Sequence, residues 1–372
     1  MINKDPSILK NHSILYIHKA GSGWGGAQQG VYDMIDHFRN EFKRVDFVSN
    51  KCLLFDRVAQ LGVECHAIPM GSAKSLPLTL FRLARLLMRL KPDIVHSNHR
   101  YTSVLYMTVR KFIPLDSPLL YTARSAFPDK TFFRMLGDSI VAVSESVKQN
   151  LIQQVKLPEY KIRTIYNGIE LNDDHSPAND EDPLITKMRN NSKIVIGSVG
   201  SLVPVKGHTY LLQAIQRLQV DKRNKIRLLI IGDGPLRKEL EEQVRQLGLD
   251  DVVIFTGHRN DIHRLIDRCS FLVNSSVQEG LSRTVVEAYL RSKPVIATNL
   301  DYVKEVIIPD QSGLIVPTRD SRALAQAINT YIDHPDTAKS HGVRGKAFIA
   351  DRFSLSRMLE NYHQAYQELL QQ

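Results

Sequence analysis

The sequence predicts an α/β protein built as two Rossmann-like domains facing across an interdomain cleft. Three observations carry that expectation. The chain has 372 residues, more than one ordinary core takes up, so two domains are the starting point. Short apolar runs alternate with amphipathic stretches of helical period, the βαβ pattern of a parallel sheet covered on both faces. The alternation also stops once, in a polar stretch, and then begins again.

The first run, Ser13 to His18, reads as a strand leading into a glycine-rich loop, Gly21-Ser22-Gly23-Trp24-Gly25-Gly26, and a helix over 27–39. Further strands are expected at 45–49, 64–68, 93–97, 118–122 and 139–143. After Tyr166-Asn167-Gly168-Ile169, the stretch 172–183 is rich in Asp, Asn and Pro and reads as a linker. The expected division is a first domain over 1–170, a linker over 171–190 and a second domain over 191–350. A final helix over 351–372 is expected to pack back on the first domain. In the second domain, strands are expected at 193–199, 226–231, 252–256, 270–274, 294–297 and 313–316. Helices are expected over 208–219, 235–247 and 282–291. Such sheets bind ligands beyond the carboxyl ends of their strands, here on the cleft side.

Composition excludes several classes. Cys52, Cys65 and Cys269 are few, scattered and odd in number, which fits a reducing compartment and neither a disulfide framework nor a zinc site. The polar N-terminus lacks a signal-peptide core, and no apolar run reaches the length of a membrane span; a cytoplasmic location is expected. Residues 1–170 hold 23 Lys and Arg against 14 Asp and Glu, whereas 171–372 hold 26 against 25. The net charge of +10 therefore belongs to the first half. It reads either as an ordinary soluble surface or as attraction to anionic lipid or a phosphate-bearing acceptor. No nucleic-acid motif accompanies it. The stretch Leu76 to Lys91, apolar with Arg82, Arg85 and Arg89 interspersed, reads first as a packing helix. Its second reading is an element lying on the inner face of the cell membrane.

The densest chemistry lies in Gln278-Glu279-Gly280-Leu281-Ser282-Arg283-Thr284-Val285-Val286-Glu287. A buried strand, a glycine turn and a helix start place backbone N–H groups beside one carboxylate, with a second on the helix. That arrangement suits a ligand offering both an anion and hydroxyls, as a sugar nucleotide does. Lys206 follows the strand 193–199 through the loop Gly200-Ser201, where a cation can meet a diphosphate. Gly25 and Gly26 leave room for a ligand against the backbone. The turn Gly257-His258-Arg259 ends another strand and reads either as a plain turn or as a border of the nucleotide base. His96 and His99 follow a strand, but no third ligand makes them a metal site; His99 is a candidate for the strand end.

Taken in order, these segments resemble the retaining glycosyltransferases of family 4, which have the GT-B fold. The segments are Gly25-Gly26-Ala27-Gln28, Lys91-Pro92-Asp93-Ile94-Val95-His96, Val141-Ala142-Val143-Ser144-Glu145-Ser146, Tyr166-Asn167-Gly168-Ile169-Glu170, Lys206-Gly207, Gly232-Asp233-Gly234-Pro235, and Gln278-Glu279-Gly280 through Glu287-Ala288. The resemblance implies that Glu279 lies near the transferred sugar, Glu287 takes the ribose hydroxyls and Lys206 holds the diphosphate. It implies that Gly280, Leu281 and Ser282 complete the phosphate cradle and that Gly26 lies under the donor phosphates. Two positions depart from the family. Ser201 stands where relatives often carry Arg, leaving Arg283 as a substitute cation. Arg124 stands where many relatives carry a cleft histidine, and an arginine cannot serve as a base at neutral pH. Lys206, Glu279, Arg124 and His99 are thus the catalytic candidates.

The expected reaction is a metal-independent transfer of a sugar, with retention, from a nucleotide-diphosphate-sugar to an acceptor hydroxyl. A UDP-sugar is preferred to a GDP-sugar, no cofactor is expected, and the acceptor is a glycan or lipid-linked glycan of cell-surface polysaccharide, lipopolysaccharide or glycolipid synthesis. The rival readings are a nucleotide-sugar epimerase, another GT-B enzyme, or a non-catalytic subunit of a transferase complex.

Overall fold

The computed structural model describes residues 8–19, 21, 24–71, 74–125, 136–170, 193–259 and 261–371. The expected linker over 171–190, with Ser22 and Gly23 of the glycine loop, lies outside them. The chain divides into two units: unit 1 is Met1–Gly168 with Leu355–Gln372, and unit 2 is Ile169–Ser354. The last helix, Leu355–Leu370, therefore belongs to unit 1.

Unit 1 contains β1 (Ser13–Ile17), β2 (Arg44–Ser49), β3 (Glu64–Ala67), β4 (Ile94–Ser97), β5 (Leu119–Ala123), β6 (Ser139–Ala142) and β7 (Ile162–Thr164). They form one sheet in the order β3-β2-β1-β4-β5-β6-β7, and the pairings are parallel. Ser-Ile-Leu-Tyr-Ile of β1 is buried throughout, as a strand covered on both faces must be. Its side chains alternate: Ile14 and Tyr16 join Val31, Ile35 and Phe38 of the helix Gly26–Phe38, while Leu15 and Ile17 join Leu83 and Leu87 of the helix Leu76–Leu90. β7 has only three residues, Ile-Arg-Thr, too few to show a period, and the sequence pattern does not reveal it for that reason.

Five members of a buried polar chain tie the last helix to this sheet. Tyr16 and Tyr366 share a hydrogen bond of 3.0 Å between hydroxyls. Tyr366 Oη and Thr122 Oγ1 lie 2.7 and 2.8 Å from the two nitrogens of His96, and Tyr362 Oη lies 3.0 Å from Thr122. Full burial holds the His96 imidazole well below its usual pKa, so the ring is neutral. His96 is a structural histidine with both nitrogens engaged.

Unit 2 contains β8 (Ile194–Val199), β9 (Ile226–Ile231), β10 (Val253–Gly257), β11 (Phe271–Asn274), β12 (Val295–Thr298) and β13 (Gly313–Val316). The order is β10-β9-β8-β11-β12-β13, again parallel. The core runs from Ile196 and Leu228 through Leu211 and Ile215 of the helix His208–Gln216 to Ile328 and Tyr331 of the helix Ser321–Asp333. The helix expected at 235–247 begins at Arg237 instead. Gly234 is pressed so closely on the backbone of Leu202 that a Cβ would stand 2.7 Å from its carbonyl oxygen, and Pro235 follows in the same turn.

Counted within each unit, both sheets run in the order 3-2-1-4-5-6, which β7 extends in unit 1. The chain reverses its direction of progress between the first and fourth strands, and the loops that follow those strands diverge to opposite faces. Those crevices lie between β1 and β4 in unit 1 and between β8 and β11 in unit 2.

Candidate active site

In unit 2 the two crevice loops are stitched together. After β8 the chain makes a short 3-10 turn, Pro204–Lys206, and then Gly207 adopts φ +64°, the left-handed region that glycine enters at little cost. The position is also closed sterically, because a Cβ on Gly207 would stand 2.2 Å from the Ser275 carbonyl oxygen. From the loop after β11, Ser275 Oγ donates to the Lys206 carbonyl at 3.0 Å, and Val277 N donates to the Val205 carbonyl at 2.8 Å. These contacts fix where Lys206 leaves the backbone.

The Lys206 ammonium meets Glu279 Oε1 directly. Glu279 Oε2 accepts from Asn274 Nδ2 at 3.2 Å and from Tyr302 Oη at 3.1 Å. Asn274 Nδ2 also donates to Ser282 Oγ at 2.7 Å, and its Oδ1 accepts from Ser276 N at 3.1 Å. Burial pulls the Lys206 pKa down to about 8, and a carboxylate in contact with it favours the ammonium form. Three donors on one carboxylate fix the orientation of Glu279, whose oxygens can also accept from hydroxyls.

Ser282 is the N-cap of the helix Arg283–Leu290, but its hydroxyl faces Asn274 and makes no cap bond. The N–H groups of Leu281 and Ser282 have no acceptor among the described residues. They lie at a helix N-terminus, where an anion is favoured. Glu287, on the same helix, accepts from Arg283 Nε at 2.9 Å and has His263 Nε2 at 3.8 Å. Burial pushes its carboxyl upward, but His263 and Arg283 outweigh that and hold it below the ordinary range. Arg283 is thus drawn onto Glu287, which qualifies the expectation of a substitute phosphate cation.

The remaining candidates fall elsewhere. Arg259 makes a two-armed contact with Asp261, both arms at 2.7 Å, rather than joining the Lys206–Glu279 cluster. Ser201 is exposed at the start of the β8 loop. Gly25 and Gly26 are the N-cap and first residue of the helix Gly26–Phe38 in unit 1. His99 is the N-cap of the helix Arg100–Arg110: its Nδ1 accepts from Tyr101 N at 3.1 Å, so Nε2 carries the proton of the neutral ring. Burial, Lys19 and Arg100 lower its pKa to about 4. It is a poor base at neutral pH and a competent hydrogen-bond donor. Arg124 follows β5 and donates to Asn98 Oδ1 at 2.8 Å and Asn167 Oδ1 at 3.2 Å.

Sequence reasoning missed Asn274, Tyr302 and His263. Asn274 carried a signal, a polar residue closing an apolar strand beside the glutamate turn. Tyr302 and His263 reach the site from other loops, and nothing local marks them. Among the described residues no group of three or more His, Cys, Asp or Glu is spaced to hold a metal. The acidic triplet Asp180-Glu181-Asp182 lies outside the described residues. Among the described residues, no helix is long and apolar enough to cross a membrane.

Known families match both halves. The family described as glycosyl transferases group 1 matches residues 184–348, and that described as glycosyltransferase family 4 matches residues 24–173. The chain is a family 4 glycosyltransferase of the GT-B type. Among curated relatives it is 28% identical over 226 residues to the N-acetylgalactosamine-N,N'-diacetylbacillosaminyl-diphospho-undecaprenol 4-alpha-N-acetylgalactosaminyltransferase of Campylobacter jejuni. That match takes in 59% of this chain and only 58% of the Campylobacter protein's own length. The chain is 25% identical to the capsular polysaccharide biosynthesis glycosyltransferase CapM of Staphylococcus aureus, over 82% of this chain and 86% of CapM. Among solved structures, Anabaena HepE in complex with UDP superposes with a TM-score of 0.81 at 20% identity, covering 96% of this glycosyltransferase and 100% of that chain. At that identity the likeness speaks for the fold.

Proposed function

We propose that this glycosyltransferase moves a sugar, with retention and without a metal, from a nucleotide-diphosphate-sugar to a hydroxyl of a growing surface glycan or lipid-linked glycan. The observation that carries the reading is the Lys206–Glu279 pair, held by Asn274 and Tyr302 in the crevice between β8 and β11. A diphosphate arriving there takes the Lys206 ammonium, together with the N–H groups at the start of the helix Arg283–Leu290. Glu279 loses a partner as the diphosphate gains one. Its freed oxygen then accepts from a sugar hydroxyl, so phosphate binding and sugar binding reinforce each other. Glu287, held ionised by Arg283 and His263, is suited to accept from the ribose hydroxyls.

The bond that breaks joins the anomeric carbon to the donor phosphate oxygen, and the bond that forms joins that carbon to the acceptor oxygen. Lys206 stabilises the charge left on the nucleoside diphosphate. The leaving phosphate oxygen takes the acceptor proton on the same face of the sugar, which retains the anomeric configuration. No basic side chain is needed, in keeping with the neutral, capped His99. UDP is favoured as the nucleotide; the complex formed by HepE and the polysaccharide and undecaprenol-linked roles of CapM and the Campylobacter transferase support this donor and acceptor class.

A cytoplasmic location against the inner membrane face goes with such an acceptor. The helix Leu76–Leu90 leaves Leu78, Phe81 and Met88 exposed on the side that carries Arg82, Arg85 and Arg89. That combination suits an anionic lipid surface.

The test is a calorimetric screen of UDP, GDP and their sugars, followed by turnover with glycan acceptors and determination of the product's anomeric configuration by NMR. Saturable UDP-sugar binding and a retained configuration are expected. Inversion would refute the same-face step, and nucleotide release that ignores acceptor would favour the epimerase reading.

A further inference from the structure

We infer that Tyr302 sets the sugar selectivity of the donor site. Its hydroxyl fills one oxygen of Glu279, and the carboxylate is left a single oxygen with which to read one hydroxyl of the transferred sugar. The inference rests on the reading of Glu279 as the group that meets that sugar.

The phenol has little freedom. Tyr302 lies in the turn after β12 and is only 1% exposed. Val303, next to it in the chain, is wholly buried. Thr298, which closes β12, donates through Oγ1 to the Ser276 carbonyl in the loop after β11. The turn that carries the tyrosine is thereby tied to the loop that carries Glu279.

The direction of the hydrogen bonds around Glu279 follows from one backbone contact. Ser276 N donates to Asn274 Oδ1 at 3.1 Å, which settles the amide and commits Nδ2 to the other side. Nδ2 donates to Ser282 Oγ at 2.7 Å and to Glu279 Oε2 at 3.2 Å. Tyr302 Oη donates its one proton to the same Oε2 at 3.1 Å. Ser282 is also hydrogen-bonded to Tyr302; with the phenol's proton committed to Glu279, the serine hydroxyl is the donor there. Burial raises the pKa of the phenol, so its proton stays in place at neutral pH. Oε2 thus receives two donors, as many as its two lone pairs take. Among the described residues, Oε1 meets the Lys206 ammonium alone.

This asymmetry decides what Glu279 can recognise. A carboxylate pinned by one oxygen cannot turn to follow a hydroxyl that changes between axial and equatorial positions. Once a diphosphate draws Lys206 away, Glu279 offers one oxygen in one place. A sugar whose hydroxyl is not there leaves a buried acceptor unmet, which costs free energy. Sites that hydrogen-bond a hydroxyl discriminate strongly for this reason. Tyr302 acts through Glu279 and is therefore a positioning residue.

The test begins by choosing the best donor among UDP-glucose, UDP-galactose, UDP-N-acetylglucosamine and UDP-N-acetylgalactosamine. Wild type and Glu279→Gln are then compared, by kcat/KM, on that donor singly deoxygenated at each sugar hydroxyl in turn. One position only should lose its penalty in Glu279→Gln. Two neighbouring positions losing it together would mean that both carboxylate oxygens face the sugar, which overturns the inference without need of any change at Tyr302. Next, Tyr302→Phe, which keeps the ring and removes the hydroxyl, is given the best donor and its epimer at the carbon so identified. Preference for the best donor should fall about tenfold or more, with UDP affinity by calorimetry unchanged. A purely structural role would lower kcat/KM for both donors by one factor and keep the preference, and that result also overturns the inference. If wild type binds the UDP-sugars but transfers none, the transferase reading fails and the same preferences are read as affinities. Failure to bind any of the four donors overturns the donor-site reading and the inference with it.

Discussion

The two sheets share the order of their first six strands, yet their crevices are furnished differently. In unit 2, charge faces charge: Lys206 against Glu279, and Arg283 against Glu287. In unit 1, the Arg124 guanidinium donates to the amide oxygens of Asn98 and Asn167, beside imidazoles kept unprotonated. A common topology places loops at a common location, and what those loops carry decides the chemistry. A paired crevice such as that of unit 2 can exchange an internal partner for a ligand group.

The largest expected effect tests the paired crevice. Lys206→Ala removes the ammonium in contact with Glu279, and turnover kcat should fall by about 10²–10³, the loss typical of a single charge-stabilising donor. Steady-state kinetics with a UDP-sugar measure it; a fall in donor affinity with kcat intact would move Lys206 from charge stabilisation to binding alone.

Acid should strike both crevices through their neutral histidines. His208, buried beside Lys206, has its pKa lowered by burial and that charge from 6.5 to about 4. A histidine depressed in the folded state contributes stability that is complete above about 6.5 and is lost as pH falls toward 4. For His208 the loss is about 3 kcal/mol at most, read as a falling urea midpoint. His208→Gln should flatten the decline over that window, and an unchanged slope would mean that the ring escapes charging by local opening.

A smaller effect is expected from Asn274→Ala. The amide orients Glu279 and bonds Ser282 and Ser276, so its loss should cost about 2 kcal/mol in stability by leaving buried partners unmet. Chemical denaturation checks it. The smallest concerns the basic helix of unit 1: Arg85→Gln should weaken flotation with anionic liposomes by about 1 kcal/mol, roughly fivefold. Failure of wild type to float at low salt would remove the membrane role.

How far these differences are legible in sequence depends on how local they are. Parallel strands buried on both faces write themselves as apolar runs, so β1, β8 and β9 stand out, and Gln278 through Glu287 declares a turn into a helix. Tyr302 is invisible in the same way that β7 is: neither has a local pattern. The hydroxyl of Tyr302 reaches Glu279 from 23 residues away. His99 is readable as a strand-end residue, but not as a helix cap, because that role depends on Nδ1 meeting the N–H of Tyr101. Arg124 is readable at the end of its strand, while its amide partners, 26 and 43 residues distant, require the fold.

The helix Leu355–Leu370 has a consequence for how the molecule is made. Tyr16 is bonded to a residue 350 positions later, and unit 2 is strung between the two parts of unit 1. On the ribosome, the domain begun first is therefore the one finished last. Its sheet emerges with His96 and Thr122 lacking their tyrosines until the final turns of helix arrive, whereas unit 2 has its whole sequence in hand before then.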